Sequence, residues 1–183
     1  MAFSQPSDIT TDATQRLFFA LWPDGGVRER LDAAAAAAAR DSGRRVPRGN
    51  LHLTLVFLGQ TPAARRDCMI QAAAAIRCPA FELCLDRFGH FRRARIAWLG
   101  PTAPPPALVD LYRQLNAALA DCGGTPETRP FAPHVTLARK AGRCRAPAEF
   151  VPIDWAVRSF ALVESPGDGS GYRVLATWPL AAA

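Results

Sequence analysis

Apolar and polar positions along the chain fall into a succession of short periodic segments. Residues 16–22, RLFFALW, form an apolar run rich in aromatics, the pattern of a buried strand. Pro23-Asp24 follows, with Asp24 a good helix N-cap, and residues 27–40 read as an alanine-rich helix stopped by Ser42-Gly43. Residues 51–59, LHLTLVFLG, alternate: Leu51, Leu53, Leu55 and Phe57 share one strand face, and His52 and Thr54 share the other. A helix is expected over about 61–77, and strands over 81–88 and 95–99. Pro104-Pro105-Pro106 opens a helix at about 107–121, with Leu108, Leu111, Leu115 and Leu119 at helical spacing and Gly123-Gly124 after it. Residues 130–139, PFAPHVTLAR, read as a strand, and 153–164 and 172–179 as a hairpin around a Pro-Gly-Asp-Gly-Ser-Gly loop.

One unit in this succession occurs twice. RLFFALW, a helix and LHLTLVFLG make the first copy; RIAWLG, a helix and PHVTLAR make the second. The two H-x-T-L tetrapeptides begin at His52 and His134, 82 residues apart. Recurrence of the tetrapeptide with the same preceding elements at similar spacing points to an internal duplication. The expected architecture is two similar lobes, each bringing one strand with His and Thr on one face, in mixed or antiparallel sheets with helices outside.

The chain has 183 residues, 49% hydrophobic and 21% charged, which excludes a disordered chain, a collagen-like repeat and a coiled coil. No apolar stretch approaches the ~18 residues of a membrane span. Residues 1–15 lack the basic and apolar regions of a secretory signal and read as a mobile arm before a single domain over 16–183. The net charge of +6 permits a phosphate-bearing partner without demonstrating one, because 21 of the 22 basic residues are Arg, a bias of GC-rich coding. Five cysteines, with no C-x-x-C pair, are expected as reduced thiols in a cytoplasmic protein, and their spacing matches no zinc pattern.

A lone histidine on a strand is more often structural than catalytic. Here two of the protein's three histidines occupy the repeated position, each with a hydroxyl two residues on, so a shared explanation is needed. An imidazole with a pKa near ~6.5 serves as acid or base around neutrality. Two of them across a cleft can divide those roles, and Thr54 and Thr136 offer hydroxyl donors to an anion. A phosphodiester is the group such a set handles most naturally. Acid and base together supply on the order of 10⁴–10⁸ in rate.

These residues resemble the 2H phosphoesterase superfamily, which is built on two H-x-[ST] motifs. Within it the chain is similar to the LigT/ThpR group, the RNA 2′,3′-cyclic phosphodiesterases also called 2′–5′ RNA ligases. RLFFALW, NLHLTLVFLG, FAPHVTLAR and the C-terminal FALVESPGDGSGYRVLATWPL carry the resemblance, which runs from about Arg16 to Leu180. It implies a bilobal α+β fold of two pseudo-symmetric, mostly antiparallel lobes with outer helices, and one histidine from each lobe in a central cleft. It also implies hydrolysis of 2′,3′-cyclic phosphate ends of RNA or nucleotides to 2′-phosphates, with no cofactor and no metal. His134 would be the base and His52 the acid; Thr54, Thr136 and Arg139 would bind the phosphate.

Arg139 poses a geometric problem. It lies five positions after His134, so simple alternation puts it on the opposite face unless the strand ends or bulges near Ala138. Of Phe18 and Phe19, one is expected in the core and the other free to stack on a nucleobase. His90 reads as a loop histidine near Arg92, Arg93 and Arg95, and Tyr172 as a packing residue. Ligation to a 2′–5′ linkage in the same site and a non-catalytic RNA-end binding module are the alternatives; intact motifs speak against the second. RNA ends or cyclic nucleotides are the expected partners, with no membrane, and a monomer is expected because one chain supplies both sides of the cleft.

Overall fold

The structure, a computed structural model, describes residues 14–39, 43–142, 149–168 and 170–182. Residues 1–13 of the expected N-terminal arm and Cys144 lie outside the described residues. Gln15, assigned to that arm, instead begins the first strand, where its side-chain amide donates to Glu164 at 2.9 Å.

The strands are β1 (Gln15–Leu21), β2 (Arg44–Arg45), β3 (Leu53–Thr61), β4 (Phe81–Leu85), β5 (Arg87–Phe91), β6 (Ile96–Gly100), β7 (Val135–Arg139), β8 (Ile153–Val157), β9 (Ser159–Glu164) and β10 (Arg173–Pro179). The helices are α1 (Gly25–Ala38), α2 (Ala63–Ala75) and α3 (Pro106–Asp121). Asp24 caps α1 as expected, accepting from Val27 N–H at 2.9 Å. Leu108, Leu111, Leu115 and Leu119 form the buried stripe of α3.

The large sheet runs β10-β9-β1-β3-β7-β6-β5, with β2 alongside β7; β4 and β8 pair in a separate two-stranded sheet. All strand pairs are antiparallel. The duplication is visible in the pairing. β1 and β3 flank α1 and pair with each other; β6 and β7 flank α3 and do the same. The two motif strands β3 and β7 meet at one pair, Leu53↔Val135, the residues that directly follow the two motif histidines, and β2 of the first half extends the contact along β7. A pseudo-twofold relation therefore centres between the motifs, and the bilobal α+β expectation holds.

Two expected strands are each split. Residues 81–88 divide at Asp86 into β4 and β5, and 153–164 divide at Arg158 into β8 and β9; in both cases the first piece joins the small sheet and the second the large one. Alternation is interrupted at each corner by a polar pair, Asp86-Arg87 and Arg158-Ser159, but the interruption does not say which sheet each piece joins. The expected strand 130–139 shortens to β7. His90 is not in a loop: it lies in β5 opposite Ala97.

One core fills the space between the sheets and helices, drawing on Leu17, Phe19 and Leu21 of β1, Leu53 of β3, the α3 leucines and Trp155 of β8. The opposite face of the first half carries a smaller cluster of Phe18, Ala20, Ala161 and Val163, with Trp22 and Tyr172 packed against it. This face looks into the cleft. A disulfide joins Cys68 on α2 to Cys122 at the C-terminal cap of α3, correcting the expectation of reduced thiols. The helices bring the two together across 54 residues of sequence, a separation no spacing pattern reveals. Cys78 and Cys84 are free. Among the described residues no helix is long and apolar enough to cross a membrane.

Candidate active site

Each motif histidine sits one residue ahead of its strand, at the join of the two halves. The antiparallel Leu53↔Val135 pair sets His52 on the side of Thr136, and Thr54 on the side of His134. Both imidazoles are held by the same device. Nδ1 of His52 donates to the Asn50 carbonyl at 2.7 Å, and Nδ1 of His134 donates to the Ala132 carbonyl at 2.7 Å. A carbonyl only accepts, so Nδ1 carries the hydrogen and Nε2 is left for chemistry in both rings. Nε2 of His52 lies 3.0 Å from the Thr54 hydroxyl, which donates to it when the ring is neutral.

Aromatic rings wall in both histidines. Trp22 stacks on His52 at 5.5 Å between centroids, Phe18 lies at 4.9 Å and Tyr172 meets it edge-on at 5.2 Å. Phe91 meets His134 edge-on at 4.9 Å and Trp98 lies at 6.1 Å. Burial pushes the His52 pKa from its ordinary value down to about 4; the hydrogen bond to Asn50 opposes this, while Arg139 and His134 add to it by charge repulsion. Burial also lowers His134, again with a contribution from Arg139.

The Arg139 problem is resolved by a bulge. In β7, Ala138 pairs with Ala97 and Thr136 with Trp98, so Leu137 is the extra residue. Arg139 then pairs with Ile96, two residues from Trp98, and shares the cleft face with Thr136. The same bulge exists in the first half: Phe19 pairs with Val56 and Ala20 with Thr54, leaving Leu55 extra. The duplicated Leu of H-x-T-L is thus the bulge residue in both copies. Phe57 is the counterpart of Arg139 and is 67% exposed.

A cavity of about 450 Å³ lies at this join, within the range of small-ligand sites. His52, Thr136 and Arg139 line it, with Arg44, Asn50 and Tyr172 among the others. The stacking expectation for the adjacent phenylalanines fails on burial. Phe19 is 0% exposed, against Phe160 and Trp178 in the main core. Phe18 is 4% exposed and supports His52, leaving no free face for a base.

Sequence reasoning missed Asn50, whose carbonyl orients His52 and whose side-chain oxygen accepts from Tyr172 N–H at 3.1 Å, tying the β9–β10 loop to the first motif. Its position directly before L-H-L-T was the available signal. It also missed Arg44, Trp22, Phe91 and Trp98, which long-range pairing brings to the cleft.

Two duplicated strands with paired H-x-T motifs at one cleft define a two-histidine phosphoesterase. A family model described as the 2′-5′ RNA ligase superfamily matches residues 23–169, and the chain belongs to that superfamily. Over 153 residues it is 38% identical to the RNA 2′,3′-cyclic phosphodiesterase of Escherichia coli (strain K12), covering 82% of this chain and 87% of that protein. The RNA 2′,3′-cyclic phosphodiesterase of Thermus thermophilus is 32% identical over 180 residues, covering 90% of each. The solved structure of E. coli LigT complexed with 3′-AMP superposes with a TM-score of 0.83 at 37% identity, covering 91% of this chain and 98% of that one.

Proposed function

We propose that this chain is a metal-independent RNA 2′,3′-cyclic phosphodiesterase that leaves a 2′-phosphate. The observation that carries the reading is that His52 of the first motif and Thr136 and Arg139 of the second line one cavity, where the two motif strands pair at Leu53↔Val135. Water attacks phosphorus and its proton passes to Nε2 of His134. The bond from phosphorus to the 3′ oxygen breaks, and that oxygen takes a proton from Nε2 of His52. Thr54, Thr136 and Arg139 hold the non-bridging oxygens as charge builds on them.

The hydrogen bond between His52 and Thr54 couples binding to protonation. In the empty cleft His52 is neutral at pH 7 and occupies the Thr54 hydrogen. A bound phosphate anion favours the imidazolium, which donates from Nε2, and the Thr54 hydroxyl hydrogen is released toward a phosphate oxygen. Ligation to a 2′–5′ linkage runs related chemistry in reverse at the same groups. One chain supplies both halves of the cleft, in keeping with a monomer, and we place the protein in the cytoplasm.

The deciding measurement is product analysis on a short RNA with a 2′,3′-cyclic end in excess EDTA. A 2′-phosphate is expected. A 3′-phosphate, or loss of turnover on chelation, would overturn the proposal. His52→Ala and His134→Ala are each expected to lower kcat by roughly 10²–10⁴, and together little more, because they act as a unit. Retention of wild-type turnover by either variant would rule out the two-histidine mechanism.

A further inference from the structure

Arg44 and Arg139 are direct cross-strand partners in the β2–β7 ladder, and both line the cavity that contains His52 and Thr136. Residues facing each other across antiparallel strands have Cα atoms only about 4.5–5.5 Å apart, and like charges there repel. Neither guanidinium forms an ion pair among the described residues. The next basic side chain, Arg45, is neutralised by Asp32. Gly43 makes this approach possible: its φ is +109°, and a Cβ there would lie 2.9 Å from the Ala141 backbone. The fold thus holds two uncompensated cations side by side at the mouth of an anion site. One cyclic phosphate carries a single negative charge, which Arg139 together with the threonine hydroxyls already answers.

We propose that Arg44, with Arg139, forms a second phosphate subsite for the internucleotide phosphodiester on the 5′ side of the terminal nucleotide. The subsite makes the enzyme select oligoribonucleotide ends over cyclic mononucleotides. The proposal rests on the cyclic phosphodiesterase reading and adds to it the feature that distinguishes an RNA end from a nucleotide. Arg44 lies one strand outboard of Arg139, at the spacing of a neighbouring strand, about 4.8 Å. A chain leaving the two histidines toward β2 brings its next phosphate to that position. Arginine suits the task because its planar fork binds phosphate oxygens in pairs.

The test is a cycle between protein and substrate. In wild type and Arg44→Ala, kcat/KM is measured on a nucleoside 2′,3′-cyclic phosphate, on the dinucleotide with the same cyclic end, and on that dinucleotide with a neutral methylphosphonate linkage. Wild type is expected to favour the charged dinucleotide over the mononucleotide by roughly 10- to 100-fold, the scale of a hydrogen-bonded charge pair. Arg44→Ala and the methylphosphonate should each remove most of that preference, and together no more than either alone. Arg44→Gln should behave like Arg44→Ala, since the side chain is exposed and bears on no core contact.

Equal losses on mononucleotide and dinucleotide would overturn the subsite, because both arginines would then serve the reacting phosphate. Additive losses, or a dinucleotide preference that survives Arg44→Ala, would do the same. Titration with the corresponding 2′-monophosphate products gives the same comparison without turnover. A protein that hydrolyses neither substrate but binds the dinucleotide product through Arg44 would therefore overturn the reaction and uphold the subsite.

Discussion

His52 is enclosed by Trp22, Phe18 and Tyr172, and its titration follows from that enclosure. Its pKa of about 4 in the folded chain lies below the unfolded value near 6.5. Between those values the unfolded chain holds the extra proton, so stability rises with pH across the window and is lost as pH falls from 6.5 toward 4. The full shift corresponds to about 3 kcal/mol at ~1.36 kcal/mol per unit. Urea unfolding of wild type and His52→Gln at pH 7 and pH 4.5 should show a steeper fall for wild type; equal falls would contradict the burial. The same shift bears on catalysis. With His134 as the base and His52 as the acid, as proposed, the free enzyme needs the first neutral and the second protonated; both pKa values are lowered, so the alkaline limb of kcat/KM should fall below pH 6.5. Bound phosphate favours the imidazolium, which should move the matching limb of kcat upward. Coincident limbs would argue against His52 as the acid.

Gly89 carries a separate consequence at the level of one residue. A Cβ there would stand 2.0 Å from the Trp98 ring, which crosses β5 at that point and forms part of the wall of His134. Gly89→Ala should cost roughly 1–3 kcal/mol by overpacking and lower kcat through a displaced His134. Wild-type turnover and stability in that variant would show that the Trp98 wall is dispensable.

Among the elements, the bulge residues Leu55 and Leu137 turn the parity of their strands within the motif. They place Phe57 and Arg139 on the same face as the threonines. The two copies have diverged at that position, one keeping an exposed ring and the other a cation, so the cleft is symmetric in its histidines and asymmetric around them. The disulfide joins α2 to the end of α3, and neither of its cysteines lines the cavity. Closing a 54-residue loop, it should contribute about 2–4 kcal/mol. Cys68→Ser, or wild type in reductant, is expected to unfold at lower urea with kcat little changed. A parallel loss of kcat would link the helix pair to the cleft.

At the scale of the whole molecule, the cleft exists because two duplicated units meet edge to edge along β7, through Leu53↔Val135 and the β2–β7 ladder. Local pattern determined much of this from sequence. Alternation put His52 with Thr54, helical spacing marked the α3 leucines, and repetition of H-x-T-L with its flanks declared two lobes and a pair of imidazoles; each signal spans a few residues. Only the tertiary structure decided what depends on distant partners. Polar pairs at Asp86-Arg87 and Arg158-Ser159 interrupt the alternation without naming a partner strand, so the change of sheet at each corner appeared only with pairing. The face of Arg139 hung on one unpaired leucine opposite β6. Neither phenylalanine proved free for stacking, since the main core covers Phe19 on one face of β1 and His52, Phe57 and Tyr172 pack around Phe18 on the other. Arg44 acquired meaning only when Gly43 allowed β2 to close on β7, because charge on a sequence has no neighbour until a sheet supplies one.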